Sequence, residues 1–170
     1  MASVTQSPLL LSANSAVVED DPEVLAGWKS SIATNRAAVF PDILEPRFGK
    51  MIQSLCANAQ LEEQEVEGVG RRWVEPLDKV GKVLSLVLSN DAVLHWMSEF
   101  AGQGPVNKVA GRLASYPAGA GELLGWHDDN FEGRRIAVVI GLSEHPYGGG
   151  EFQLRKRDSK EIVFEHQLQG

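Results

Sequence analysis

The chain has 170 residues, of which 43% are hydrophobic and 23% charged, with a net charge of −7 at pH 7 and a single cysteine. This length can bury the core of one domain without structural metals or disulfides, and one cysteine excludes an internal disulfide and favours a reducing compartment, which we expect to be the cytoplasm. The acidic balance argues against nucleic-acid and anionic-membrane binders, because both need clustered lysine and arginine.

The N-terminal region is predicted to lead from an arm into a helix. Residues 1–21 are rich in Ser, Ala and Asn without a sustained period, which predicts a flexible arm, and they lack the basic segment of an export signal. Asp21 followed by Pro22 is typical of a helix start, with Asp21 as the N-cap. The apolar run at residues 37–40 predicts a short strand. No run approaches the roughly 18 apolar residues of a membrane span.

Two further helices are predicted before residue 104. Apolar residues spaced by three and four between 45 and 64 indicate an amphipathic helix, with the glutamates from Glu62 to Glu67 as its solvated end. Residues 90–100 show the same spacing and end at Gly102. Residues 80–88 are compatible with a helix or a strand. We therefore expect residues 22–104 to form a mainly helical support region.

Short extended runs separated by turn residues fill the second half. The runs are 106–116, 122–129, 135–142, 151–157 and 161–168, and the turns are 117–119, 130–133, 146–150 and 158–160. Helices followed by closely spaced strands indicate an α+β protein whose second half, residues 105–170, is a sandwich or barrel.

One motif in this second half suggests chemistry. His127 and Asp129 are two residues apart, so on a strand they point to the same side while Asp128 points away. This is half of a 2-His-1-carboxylate metal site. The alternative is a surface turn with Asp128 and Asp129 as solvated acids. The apolar approach through Leu124 and Trp126 favours the metal site, because a buried imidazole and carboxylate need a shared partner.

Four features in order resemble the Fe(II)- and 2-oxoglutarate-dependent dioxygenases, on the prolyl 4-hydroxylase-like branch. They are the strand from Arg112 to Tyr116 with Gly119, the Gly125-to-Asp129 motif, the strand Arg135 to Ser143, and the run Gly149-Gly150-Glu151-Phe152. The resemblance covers residues 106–170, and the helices of the first half are similar to the support helices of that branch. It implies a double-stranded β-helix of the jelly-roll, cupin-like kind.

The resemblance also implies roles for individual residues. His127 and Asp129 would be Fe(II) ligands, and Tyr116 would help to hold the cosubstrate 2-oxoglutarate, unless it is an aromatic residue packed at a strand end. Ascorbate is a further cofactor that the resemblance allows. Gly149 and Gly150 would be turn glycines that need positive φ. We expect Trp126, which faces away from His127 on a strand, to lie in the core.

The chain departs from the family pattern at its C-terminal end. The family's distal His and the basic residue that pairs with 2-oxoglutarate follow a late strand, and we expect that strand to begin where this chain ends, at Gln167 to Gly170. His145 and His166 are the remaining third-ligand candidates, with a loop residue and a solvent-facing strand residue as the respective alternatives. At about 5–6 residues per strand and about 4–6 per connection, residues 106–170 supply about six strands, fewer than the eight of a jelly roll.

The resemblance thus implies a hydroxylase that consumes O2 and 2-oxoglutarate and releases succinate. The substrate is either a prolyl peptide or a small molecule, and no nucleic-acid or membrane partner is expected. The alternative is a catalytically inactive cupin-like fragment or binding module.

Overall fold

The computed structural model describes residues 7–67, 70–102, 104–116, 124–129, 133–143, 145 and 147–167. These residues form seven strands and four helices. The strands are β1 (Leu9–Leu11), β2 (Ala16–Val18), β3 (Glu62–Val66), β4 (Gly70–Val74), β5 (Ala114–Ser115), β6 (Phe152–Arg155) and β7 (Ile162–His166), and the helices are α1 (Pro22–Asn35), α2 (Pro46–Ala57), α3 (Lys79–Leu88) and α4 (Asp91–Ala101). The predicted α+β class is confirmed. The predicted turns 117–119 and 130–132 lie outside the described residues, as do residues 1–6, 122–123 and 168–170.

Capping side chains set the starts of α1 and α4 where the sequence predicts them. The Asp21 carboxylate accepts a hydrogen bond from the Glu23 backbone N–H at 2.8 Å, and Pro22 occupies the first turn of α1. The Asn90 side chain accepts from the Ala92 N–H at 2.9 Å. Helix α4 ends at Gly102 in the left-handed conformation, with φ of 59°. Residues 79–88, which the sequence left open, form α3.

The predicted helix over 45–64 is wrong in its second half. Helix α2 ends at Ala57, and the glutamate run forms β3 instead of a solvated helix end. β3 pairs antiparallel with β4, where Glu63 forms an ion pair with Arg71 at 3.2 Å across the strands. Glu63 lies opposite Trp73, and Glu65 lies opposite Arg71, so the ion pair joins diagonal neighbours on one face of the hairpin. Cross-strand pairs of opposite charge support strand pairing, and the local helical spacing does not reveal this partner strand.

The predicted jelly roll is not confirmed. The described strands form antiparallel sheets of two, three and two strands, in the orders β1-β2, β3-β4-β5 and β6-β7, and none of them closes into a barrel. Residues 37–40, 124–129 and 134–143 have no strand assignment, although strands were predicted there. Ile136, Ile140 and Leu142 nevertheless pack against the core. These side chains are half-buried, so their apolar pattern correctly indicated a contact with the core, but a strand also requires a hydrogen-bonded neighbour.

The N-terminal hairpin β1–β2 belongs to the core, which differs from the flexible arm expected for residues 1–21. Leu9 and Leu11 are buried, and they pack with residues of all four helices. The Leu11 N–H donates to the Ile43 carbonyl at 2.7 Å, and the Glu45 N–H donates to the Leu11 carbonyl at 2.8 Å. Because these bonds fix β1 against the segment before α2, the hairpin completes the helical half.

A tight junction connects α3 to the chain that leads into the second half. The Asp78 carboxylate accepts a hydrogen bond from the Leu113 N–H at 3.2 Å, and the buried Glu75 carboxylate accepts from the Val80 N–H at 3.2 Å. Gly81 allows the backbone at Arg112 to approach the helix closely. The junction therefore sets the start of β5. In the part of the chain that the structure describes, no helix is both long and apolar enough to cross a bilayer.

The hairpin packing can be tested by truncating one buried leucine. Leu11 is 0% exposed, so Leu11→Ala should lower the free energy of unfolding by about 2–5 kcal/mol. The adjacent Leu10 is 41% exposed, so Leu10→Ala should change it by less than about 0.5 kcal/mol. Urea unfolding followed by circular dichroism measures both, and equal effects would mean that β1 does not contribute to the core.

The junction can be tested with two helical glycines. A Cβ at Gly81 would lie 2.7 Å from the Arg112 Cα atom, so Gly81→Ala should destabilise the protein by about 1–3 kcal/mol. A Cβ at Gly49 would lie 3.7 Å from the Leu44 Cβ atom, and Gly49→Ala should stabilise by about 0.4–1 kcal/mol because alanine restricts the unfolded chain. Urea unfolding followed by circular dichroism measures both changes in the free energy of unfolding. A Gly81→Ala variant as stable as the unmodified chain would contradict the close approach.

Candidate functional site

The structure brings the two predicted ligands His127 and Asp129 together. The His127 Nε2 atom lies 3.7 Å from Asp129 Oδ1, and the two side chains are 34% and 47% exposed. This separation is too long for a hydrogen bond. Residues 124–129 have no helix or strand assignment, so the two side chains approach each other without the strand on which the prediction was based.

A backbone contact fixes the His127 ring. The Nδ1 atom lies 2.8 Å from the Gly125 carbonyl oxygen. A carbonyl can only accept a hydrogen bond, so Nδ1 carries the proton and donates it, and in the neutral ring Nε2 keeps a lone pair that can bind a metal ion or accept a hydrogen bond. Metal-binding histidines commonly donate their second ring nitrogen to a backbone carbonyl in this way. The ring therefore presents Nε2, the nitrogen that remains able to bind a metal, next to Asp129.

The distance between these two atoms fits a shared cation. Imidazole nitrogen and carboxylate oxygen lie about 2.1 Å from a bound transition metal, so two such atoms can be up to about 4.2 Å apart. The observed 3.7 Å is within that limit. The two atoms are therefore close enough to reach one ion, but they would have to approach to about 3.0 Å to sit at right angles, as ligands of a facial triad do.

Arginines contact both aspartates of the motif. The Arg134 guanidinium donates to Asp129 Oδ1, and the Arg157 guanidinium donates to Asp128 Oδ2. Asp128 thus contacts a group far along the chain, whereas Asp129 contacts His127 and Arg134. The two acids therefore differ in their described partners.

Trp126 is exposed to 45% and is not a core residue, contrary to the prediction. The Arg155 guanidinium carbon lies 4.0 Å from the centre of its ring, in a cation–π contact. Arg155 is the last residue of β6, and Arg157 lies two residues further along the chain. Because an arginine covers one face of the indole, Trp126 needs no apolar neighbours to stay in place.

The hairpin β6–β7 supplies two of these arginines. Phe152 and Phe164 contact each other across it, with ring centres 6.3 Å apart, and Lys156 forms an ion pair with Glu161 at 2.7 Å. Gly149 and Gly150 precede the hairpin with φ of 80° and 72°, which confirms the predicted turn glycines. The hairpin thus holds Arg155 and Arg157 against residues 126–128.

The remaining predicted site residues lie apart from this pair. Tyr116 follows β5 and is exposed, and no hydrogen bond among the described residues joins it to His127 or Asp129. His145 is exposed, and His166 is a half-buried residue of β7 whose ring centre is 6.4 Å from that of Phe164. Among the described residues, no three histidine, cysteine or acidic side chains form a group that could hold a metal ion.

The sequence analysis missed the arginine contacts. Arg134-Arg135 and Arg155-Lys156-Arg157 are evident basic clusters. Their partners, however, depend on how the hairpin β6–β7 lies against residues 124–129, which is a tertiary feature. In the sequence, the acidic pair Asp128-Asp129 is followed by these two basic clusters, and this arrangement of opposite charges was the available signal for the contacts.

Searches against protein-family models, curated proteins and solved structures found no match to this chain. The functional interpretation therefore depends on the motifs and on the geometry around His127.

Proposed function

We propose that the chain is an Fe(II)- and 2-oxoglutarate-dependent dioxygenase that hydroxylates a prolyl peptide or a small molecule. In the overall reaction, substrate C–H, O2 and 2-oxoglutarate give the hydroxylated product, succinate and CO2. The ordered motifs between residues 106 and 170 support this proposal. The jelly-roll architecture, the use of ascorbate and a cytoplasmic location belong to the same proposal.

The observation that carries the proposal is the approach of His127 Nε2 to Asp129 Oδ1 at 3.7 Å. The Gly125 carbonyl orients the imidazole, and residues 124–129 place the carboxylate beside it. Both ligands are neighbours in sequence, so folding of this one segment brings them together. Asp128, between them, is held by Arg157.

Bound iron would activate O2, while 2-oxoglutarate would supply the two electrons that the hydroxylation of a C–H bond by O2 also needs. His127 would contribute a neutral nitrogen ligand and Asp129 an anionic oxygen ligand. In this proposal the exposed hydroxyl of Tyr116 donates a hydrogen bond to the cosubstrate. The half-exposed position of the two ligands leaves space for small molecules at the metal.

The second candidate is a catalytically inactive, cupin-like binding module. Two observations favour it: the described residues contain no three-ligand group, and the described sheets remain open. In such a module, the contacts between the arginines and the aspartates would hold residues 124–129 in place and would have no role in catalysis. The two candidates differ in whether the chain converts 2-oxoglutarate to succinate.

Metal binding can be tested with Mn(II), which accepts imidazole and carboxylate ligands, by following the EPR signal of the free ion. We expect weak binding, because the described residues supply two protein ligands. His127→Ala and Asp129→Ala should each weaken it by about tenfold or more, since even outer-shell partners of metal ligands are worth about 10–100-fold. Asp128→Ala, the matched control, should stay within about twofold, because Asp128 contributes only long-range charge.

A second measurement separates the two candidates. Anaerobic loading with Fe(II), followed by O2 and 2-oxoglutarate, should give succinate in amounts that match the 2-oxoglutarate consumed, and both ligand variants should lose it. Metal binding that depends on the two ligands but gives no succinate would favour the binding module. Equal metal binding by all three alanine variants would rule out this metal site.

A further inference from the structure

The carboxylate oxygen that faces His127 is the same one that Arg134 contacts. Asp129 Oδ1 lies 3.7 Å from His127 Nε2 and also accepts the hydrogen bond from the Arg134 guanidinium. A cation between His127 and Asp129 would have to share this atom with a positively charged group. Metal and guanidinium would therefore compete for the negative charge of one carboxylate oxygen.

We propose that Arg134 is an internal competitor for the metal, which occupies Asp129 in the metal-free chain and is displaced when a divalent cation binds. This inference rests on the proposed role of His127 and Asp129 as ligands. Arg134 is thus a positioning residue that acts through Asp129. It holds the carboxylate near the imidazole and at the same time reduces the affinity for the ion.

The competition is weak enough to be reversed by a metal. Both partners are partly exposed, Arg134 to 36% and Asp129 to 47%, and ion pairs of this kind contribute little because water screens them and two long side chains must be ordered. A guanidinium does not lose its proton near neutral pH. The side chain must consequently move away, and deprotonation offers no alternative route.

The second arginine pair provides a matched control within the same motif. Arg157 contacts Asp128 as Arg134 contacts Asp129, and each arginine carries one positive charge close to the site. Asp128, however, has no described contact with the His127 ring. Removal of either arginine raises the general attraction for a cation, but only removal of Arg134 releases the proposed ligand oxygen.

The test is a Mn(II) titration of the full chain at low ionic strength, followed by the EPR signal of the free ion. Arg134→Gln should tighten binding by about two- to fivefold, which is the range for loss of an exposed ion pair. Arg157→Gln should change it by less than about twofold, because it leaves Asp129 unaltered. Arg134→Lys keeps a competing charge and should bind less tightly than Arg134→Gln. Thermal unfolding of each variant checks that the fold is retained.

The possible outcomes separate this inference from the function on which it rests. If Asp129→Ala loses binding but Arg134→Gln binds no more tightly than Arg157→Gln, the site stands and the competition is wrong. Weaker binding by Arg134→Gln would mean that Arg134 only orients the carboxylate, which also overturns the competition. If Asp129→Ala binds Mn(II) like the unmodified chain, both ideas fail.

Discussion

The helical half of the protein depends on the packing of aromatic side chains around Phe40. Its ring meets Trp28 of α1 at 4.9 Å between ring centres, and Phe100 and Trp96 of α4 at 5.5 Å and 5.9 Å. Trp28 and Trp96 bury their indole nitrogens without an acceptor among the described residues, which costs about 1–3 kcal/mol each. Burial of such large apolar rings offsets this cost. The arrangement therefore joins α1, α4 and the segment between α1 and α2.

The candidate site is held by a different kind of interaction. Residues 124–129 have no assigned element, and the contacts described for the site are polar: the Gly125 carbonyl, the two pairs between an arginine and an aspartate, and the contact of Arg155 with Trp126. Exposed contacts of this kind are each worth little. In the proposed function, a ligand pair held in this way would be less preorganised than one on a rigid strand and would adapt to a metal at some cost in affinity.

The features that the sequence predicted correctly are those set by local chemistry. Asp21 and Asn90 begin helices because each side chain accepts a hydrogen bond two residues ahead, and Gly149 and Gly150 adopt positive φ because they lack a Cβ atom. The approach of His127 to Asp129 is also local, since the two are separated by one residue. None of these features needs a distant partner.

The features that failed depend on distant partners. Glu62 to Val66 form a strand only because β4 lies beside them, and Leu9 and Leu11 are buried only because α2 and its preceding segment cover them. Residues 135–142 show a different case, because Ile136, Ile140 and Leu142 pack half-buried against the core without a paired strand among the described residues, while Val138 and Val139 are exposed. Apolar spacing indicates which side chains avoid water, but it does not identify the neighbour that covers them.

The arginines around His127 reduce the attraction of the proposed site for a cation. The whole chain carries a net charge of −7, but Arg134 and Arg157 neutralise the two aspartates of the motif, and Arg155 adds a positive charge over Trp126. The described contacts therefore leave little net negative charge on the two aspartates themselves, and charges beyond about 10 Å are screened at moderate salt. In the proposed function, further negative charge would then come from a small-molecule anion that binds together with the metal. A dianion such as 2-oxoglutarate would provide it and could engage an arginine that the metal releases, so cation and dianion should each favour the binding of the other.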